Sequence, residues 1–294
     1  MATATHPNEA ALRARYPRVF KGFNKLAGAP GRYLESTGNV AWFVVQAIGQ
    51  MGHALRNYPK EVLRLIAEVG MGTGAMAVIG GTVAIVAFVT LSAGTLIAVQ
   101  GYASLGNIGV EAVTAGAAAL VNVRIVAPVV TGQALASTVG AGSTAQLGAM
   151  RISEEIDALE VMGIKSISYL VSTRIMAGIV VIIPLYAMAM IMSFMAAQFT
   201  TTTIYGQSQG TYDHYFRTLL RLDDVMWSFF MAIMIAIVVM VNHCYYGFNA
   251  SGGPVGVGEA VGKAMRASLV LIVLVVLFTA LALYGVNPNF NLTV

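Results

Sequence analysis

Charged side chains are scarce in this sequence, and cysteine is almost absent. The 294 residues include 17 Lys or Arg and 13 Asp or Glu, so 10% are charged while 57% are hydrophobic. An ordinary soluble domain carries about 25% charged residues, and so few charges would not cover a soluble protein of this length. The single cysteine, Cys244, excludes an intramolecular disulfide framework and a cysteine-based zinc site. The composition indicates an integral membrane protein, not a soluble enzyme or a nucleic-acid-binding protein.

The positive charges concentrate at the N-terminal end. Residues 1–65 hold nine of the 17 basic residues, namely Arg13, Arg15, Arg18, Lys21, Lys25, Arg32, Arg56, Lys60 and Arg64. This stretch is too long for a cleavable signal peptide, and no apolar run with a small-residue cleavage site follows it promptly. Because basic residues beside the first span stay in the cytoplasm, we predict that the N-terminus lies inside.

Five apolar stretches are long enough to cross a bilayer, which needs about 20 helical residues. The predicted spans cover residues 66–100, 115–147, 168–199, 224–247 and 264–286. Residues 33–56 mix apolar and polar side chains, which favours an interfacial helix in the headgroup plane; a further span is the alternative. The sequence thus predicts an all-α membrane protein with an N-terminal interfacial helix and five transmembrane helices.

Loop charges give the predicted orientation, with the N-terminus inside and the C-terminus outside. Only the 200–223 connection, which mixes Arg and Asp, is ambiguous by charge. We divide the chain into a cytoplasmic basic region with the interfacial helix (1–60) and a membrane domain (61–294). The connection between the second and third spans lies on the cytoplasmic side in this topology.

That connection contains a short amphipathic helix with four carboxylates. Ser153 is predicted as its N-cap, Glu154 and Glu155 favour its first turn, and Gly163 ends it. The residues that define it are Arg151, Ile152, Ser153, Glu154, Glu155, Ile156, Asp157, Leu159, Glu160 and Gly163. Two interpretations stay open: a solvated surface helix, or a docking helix for a cytosolic ATPase. Catalytic carboxylates are disfavoured, because no nucleophile, metal set or phosphate site lies nearby.

The stretch from Gly148 to Ile164 (GAMRISEEIDALEVMGI) resembles the signature of the MlaE/YrbE family, the permease subunits of ABC-type lipid transporters. A second block, Cys244 to Ala264, is similar to the family pattern between its last two spans. Gln100-Gly-Tyr102 and the small-residue run from Pro128 to Gly148 add weaker support. The resemblance covers about residues 60–285.

The resemblance implies a set of partners and a mechanism. The helix at 151–163 becomes the coupling helix that contacts a cytosolic ABC ATPase dimer, which binds ATP and Mg²⁺, whereas this chain binds no cofactor or metal. A second permease completes the membrane part, and extracytoplasmic MCE-domain proteins deliver lipid for import across the bacterial plasma membrane. Gln100 and Tyr102 are candidates for the lipid path near the outer mouth.

Three departures from the family pattern remove intramembrane charges. Many members carry an acid where Ile125 stands, a basic residue at Thr138 and an acid at Gln146. A charge in the membrane is costly unless it is paired. The absence of both acids and of the basic residue is therefore less costly than the absence of one member alone. The departures suggest a diverged subunit beside a different permease, as in the paired YrbE permeases of actinobacterial Mce systems. Arg124 is then the one clearly intramembrane charge, and we expect it to snorkel to the outer surface.

Two rival functions remain. The first is a non-transporting membrane scaffold or assembly subunit. The second is an intramembrane enzyme acting on lipids, which is disfavoured because no Ser/His/Asp set or acid pair converges in the predicted spans. The glycine-rich stretch from Gly256 to Lys263 lacks the spacing of a Walker motif, and Ala264 stands where that motif needs Ser or Thr. The sequence therefore places ATP binding on another subunit.

Overall fold

The computed structural model describes residues 29–71 and 81–284, and within these residues every regular element is helical. The α-helices are α1 (Ala29–Gly49), α2 (Met51–Asn57), α3 (Pro59–Met71), α4 (Gly81–Gly106), α5 (Thr114–Val121), α6 (Ala127–Leu135), α7 (Ala141–Ile152), α8 (Glu155–Val161), α9 (Thr173–Phe199), α10 (Gln209–Leu219), α11 (Leu222–Phe248) and α12 (Gly253–Tyr284). Short π-helical or 3₁₀ segments join several of them.

Five of the described helical stretches have the length and apolar composition to cross a membrane. They are span 1 (Val83–Gly106), span 2 (Glu111–Ile152), span 3 (Ile167–Ile204), span 4 (Leu222–Phe248) and span 5 (Gly253–Leu283). Neither α1 nor α2, which contain the predicted interfacial segment, is among them. Five spans after an N-terminal helix confirm the predicted fold class, while the orientation in the membrane stays a prediction.

The chain divides into two compact units, Met1–Gln46 and Ala47–Val294. The second unit contains every helix from α2 onwards. The basic residues from Arg13 to Lys25 lie outside the described residues. The predicted division at residue 60 separates a cytoplasmic and interfacial region from the membrane domain. That division stays a prediction.

Within the described residues, span 1 covers Val83–Gly106, whereas the predicted first span began near residue 66. Its helix α4 starts at Gly81, whereas residues 66–71 complete the amphipathic helix α3. Charges distinguish the two helices: Arg64 of α3 contacts Glu61 at 2.6 Å and Glu68 at 2.8 Å. A span that began near residue 66 would carry Glu68 into the bilayer at a high cost.

Span 5 begins earlier than expected, at Gly253 instead of residue 264. Gly252 and Gly253 adopt positive φ angles of 91° and 72°, a conformation that glycine reaches without the steric penalty of a Cβ. This pair makes the turn after span 4. The glycines from 256 to 262, which the sequence placed in a connection, consequently form the first turns of α12.

Span 2 is interrupted by two π-helical segments, Asn122–Val126 and Ala136–Gly140. Pro128 follows the first of them and lies at the start of α6, where its missing N–H and fixed φ are tolerated. Three threonine hydroxyls along the span donate to backbone carbonyls four residues earlier, at Thr131, Thr138 and Thr144. The span therefore satisfies these three hydroxyls within its own backbone.

Span 3 packs against spans 1, 2 and 4 and against α3. The contact with span 1 is close because Gly94 faces the backbone of Ser193. A Cβ on Gly94 would overlap the backbone oxygen of Ser193 and lie 2.9 Å from its hydroxyl oxygen. That hydroxyl donates a 2.7 Å hydrogen bond to the buried Asn122 of span 2. One small contact thus brings three spans together.

A buried ion pair joins spans 2 and 4. Arg124, in the first π-helical segment, donates to Asp224 at 3.0 Å, and the Asp224 side chain is 8% exposed. The expectation that Arg124 snorkels to the outer surface is therefore corrected, since its side chain is 13% exposed and its guanidinium bonds a carboxylate of span 4. Asp224 lies in the first turn of α11.

We expect Gly94→Ala to destabilise the protein by about 1–3 kcal/mol, the usual cost of overpacking a tight contact, because the new methyl group meets a backbone oxygen that cannot rotate away. Gly142→Ala is the matched control, because no atom lies within 4 Å of its Cβ position. The apparent Tm in detergent, measured for both variants, checks the prediction. Equal effects would show that the close contact does not limit stability.

We expect Asp224→Ala to cost about 3 kcal/mol, because truncating one member of a buried ion pair is strongly destabilising. Asp223→Ala is the control: its carboxylate is 75% exposed and pairs with Arg221 at the surface, so a loss below about 1 kcal/mol is expected. Denaturant unfolding of both variants measures the difference. A similar loss at the two positions would contradict the structural role of the buried pair.

Candidate functional site

The connection between spans 2 and 3 is built around a backbone break at residues 153–154. α7 ends at Ile152, and Ser153 donates hydrogen bonds to the Ala149 carbonyl at 3.0 Å and to the Glu155 carboxylate at 2.9 Å. Glu154 then takes a left-handed conformation with φ 59°, the single non-glycine residue with positive φ in the described chain. The prediction that Ser153 caps α8 is wrong, because its hydroxyl is bonded back to α7 and Glu154 occupies the cap position.

α8 (Glu155–Val161) carries the carboxylates and ends where the sequence indicated. Glu155 and Asp157 lie in its first turn, where negative charge is favourable. Gly163 adopts φ 77°, its N–H donates to the Glu160 carbonyl at 3.0 Å, and Ile164 N–H donates to the Leu159 carbonyl at 3.0 Å. These bonds satisfy the last carbonyls of the helix in the manner of a glycine C-cap.

The apolar side chains of this segment divide between two surfaces. Ile156 is fully buried in the protein, whereas Val161 is 90% exposed and Met162 is 66% exposed. Ile152, Ile156 and Leu159 recur at helical spacing along the segment, and Ile156 is the one that anchors α8 in the protein interior. The exposed pair at 161–162 was missed by sequence reasoning, although an apolar pair directly before a helix-ending glycine was visible.

The four carboxylates have different surroundings. Asp157 pairs with Arg151 at 2.7 Å, and Glu160 accepts a 2.6 Å hydrogen bond from Ser166. Glu155 accepts the bond from Ser153, while Glu154 forms no ion pair with any residue of the described ranges 29–71 and 81–284. Such exposed pairs contribute at most about 1 kcal/mol. The segment therefore presents exposed acids beside an exposed apolar pair.

The residues that follow α8 connect it to the helices before span 1. They form a π-helical segment, Ile167–Ser172, in which Ser168 contacts His53 of α2 at 3.1 Å. The rings of Tyr169 and Tyr58 meet edge to face, with centroids 5.1 Å apart. Movement of the α8 segment would consequently reach α2 and the start of α3 through direct contacts.

Gln146 joins α3 to spans 2 and 3. Its amide donates to Glu68 at 3.2 Å and accepts from Arg174 at 3.3 Å, and Arg174 is buried and donates to the Leu170 carbonyl at 2.9 Å. Gln146 stands where many family members carry an acid, and Arg174 is a second buried cation that had no signal in the sequence pattern. The Gln146 amide therefore lies between the Glu68 carboxylate of α3 and the Arg174 guanidinium, and it bridges these opposite charges by hydrogen bonds.

The two lipid-path candidates occupy different places. Gln100 lines a groove of about 430 Å³ between α4 and α5, and its amide donates to Ser104 at 3.0 Å. Tyr102 is not among the groove-lining residues; its ring stacks on Tyr205, with centroids 4.2 Å apart. The groove is mainly aliphatic and includes Leu96 and Val121. The structure thus brings Gln100, but not Tyr102, to an apolar surface.

The pKa of Glu61 is lowered, chiefly because Arg64 donates hydrogen bonds to its carboxylate. A lowered pKa means that the stabilisation is fully present above the unfolded-state pKa of about 4.3 and is lost as the pH falls through the folded-state value. We expect Glu61→Gln to lose this pH-dependent part, by less than about 1 kcal/mol because Arg64 is largely exposed.

Unfolding free energies of the wild type and Glu61→Gln between pH 6 and pH 3.5 measure this effect. Glu259→Gln, at an exposed acid of α12, is the matched control. The slope of stability against pH should decrease for Glu61→Gln more than for the control. Identical slopes for the wild type and Glu61→Gln would refute the role of this carboxylate.

Comparison with known proteins identifies the class of this membrane protein. The family model described as Permease MlaE matches residues 71–282. A probable ABC transporter permease protein of Rickettsia bellii is 28% identical over 190 residues, which cover 65% of this chain and 73% of that protein.

Two further relatives are matched over shorter shares. A probable ABC transporter permease protein of Synechocystis is 26% identical over 56% of this chain and 62% of its own length. Protein TRIGALACTOSYLDIACYLGLYCEROL 1, chloroplastic, of Arabidopsis thaliana is 28% identical over 56% of this chain, which spans about half (47%) of that relative. With its five apolar helices, the chain is a multi-pass ABC transporter permease of the bacterial inner membrane, and it belongs to the MlaE permease family.

Proposed function

We propose that this chain is a transmembrane subunit of an ABC transporter that moves hydrophobic lipids, and that a cytosolic ATPase binds the segment 151–163. The observation that carries the proposal is the form of that segment. A short helix is held between two backbone breaks, at Glu154 and Gly163, and presents acids beside the exposed Val161 and Met162. Exposed apolar side chains surrounded by charges are typical of a protein–protein contact.

Lipid is the substrate class that the membrane part supports. The grooves beside spans 1 and 2 are mainly aliphatic, and the groove that contains Gln100 has no charged lining residue. A carrier coupled to protons or sodium would instead be expected to keep ionisable residues at a central site. The Arabidopsis relative is named after a glycerolipid, which agrees with this class.

The remaining parts of the proposed machine follow from the family resemblance. A second, paralogous YrbE-type permease pairs with this chain, as in actinobacterial Mce systems, and MCE-domain proteins supply lipid for import. ATP and Mg²⁺ are bound by the ATPase dimer. The substitutions at Ile125, Thr138 and Gln146 support a partner with a different charge pattern. A non-transporting scaffold subunit is the alternative function.

Replacing Glu154 and Glu155 together by Lys should weaken ATPase binding at least about tenfold, because charge reversal across a contact typically costs more than about 1.4 kcal/mol. ATP-dependent lipid movement in proteoliposomes should fall with it. Copurification of the ATPase with the tagged permease and transfer of a fluorescent lipid measure the two effects.

Glu259→Lys, also an exposed acid-to-base change, is the matched control and should leave both readouts unchanged. Lipid movement that persists in the Glu154/Glu155 variant with the ATPase still bound would refute docking at 151–163. A wild-type complex that binds and hydrolyses ATP without moving any lipid would favour the scaffold function.

A further inference from the structure

A second groove lies where spans 1, 2 and 5 meet. It encloses about 270 Å³, and its walls are mainly aliphatic side chains such as Val89 of span 1, Val130 of span 2 and Leu269 of span 5. Two polar residues of span 2, Gln133 and Ser137, face the same space. The groove therefore combines an apolar wall on three helices with a small polar strip on one of them.

The polar strip contains a side-chain amide with no partner in the described chain. Gln133 is exposed, lies near the centre of span 2, and its side chain forms no hydrogen bond with any residue in 29–71 or 81–284. Ser137 differs, because its hydroxyl donates to the Ala134 carbonyl at 3.1 Å. An amide at a membrane-facing surface is costly unless another molecule completes its hydrogen bonds.

The groove offers no charge to a bound molecule. None of its lining residues is ionisable. The nearest cations along span 5 are directed elsewhere: Lys263 pairs with Glu259 at 3.2 Å, and the guanidinium of Arg266 extends to within 3.5 Å of the Cβ position of Gly262. A carboxylate or phosphate beside Gln133 would therefore be desolvated without a counter-charge.

We propose that this groove binds a lipid through an apolar chain and an uncharged hydrogen-bonding group, an ester carbonyl or a hydroxyl, at Gln133. The Gln133 Nε2 donates to a carbonyl oxygen, or its Oε1 accepts from a hydroxyl, while the aliphatic walls contact the chain. This inference rests on the proposed lipid transport and names the class of its substrate. Gln133 acts as a specificity residue that favours uncharged groups over charged ones.

The test compares two fluorescent probes that share one chain and differ in charge: cis-parinaric acid and its methyl ester. Their affinities are measured on the intact transporter complex in nanodiscs, without ATP. The wild type should bind the ester more tightly than the acid. Gln133→Leu should weaken ester binding about three- to tenfold, the equivalent of one net hydrogen bond, and leave acid binding unchanged.

Gln198→Leu, which removes an amide from span 3 outside both grooves, is the matched control and should leave both affinities as in the wild type. Gln133→Asn withdraws the amide by one methylene and should also weaken ester binding. This variant replaces Gln133→Leu in the test if the Leu variant does not assemble. Equal affinities of the wild type for acid and ester, or an ester affinity that does not respond to either Gln133 variant, would overturn the proposal.

Two outcomes separate this site from its alternatives. If Gln133→Leu dissociates the permease pair while ester affinity is retained, Gln133 belongs to a subunit contact, and the lipid site is refuted. If ester binding depends on Gln133 in a complex that moves no lipid with ATP, the site stands and the proposed transport fails.

Discussion

A polar group inside a bilayer must find its partner within the protein, and this constraint organises the whole structure. Water is absent, so an unpaired charge is far more costly than in a soluble core. The chain satisfies the requirement with few pairs that each join distant elements: Arg124 with Asp224 between spans 2 and 4, and Arg174 with Glu68 through Gln146. Apolar packing makes up the other contacts between the helices.

The same constraint explains how much of the architecture was predictable. Five spans and an N-terminal helix follow from long apolar runs, whose length alone decides whether they cross the bilayer. Their ends were less certain, because hydropathy does not separate the amphipathic α3 from span 1 and does not recognise the turn at Gly252 and Gly253. A few charged residues in α3 and two glycines before span 5 mark these ends, and a hydropathy value averaged over many residues does not reveal them.

The candidate site was predictable as a segment but not in its geometry. Its length, acids and terminal glycine were visible in the sequence. Pairings such as Asp157 with Arg151, and the burial of Ile156, depend on how two helices meet and have no local signal. The left-handed Glu154 was also unforeseen, since glutamate seldom adopts that conformation. Gln133 was not predicted as a site residue either, because an unpartnered amide is recognisable only once its neighbours are known.

The close approach at Gly94 has a consequence for the way the helices can move. Because the only side-chain-free position in that turn lies opposite the Ser193 backbone, spans 1 and 3 fit together in one axial register. Sliding by a helical turn would bring the side chains of Thr90 and Leu91, or of Ile97 and Ala98, towards the same backbone. During any working cycle these two helices therefore travel as a pair, and relative motion has to be taken up at other boundaries of the bundle.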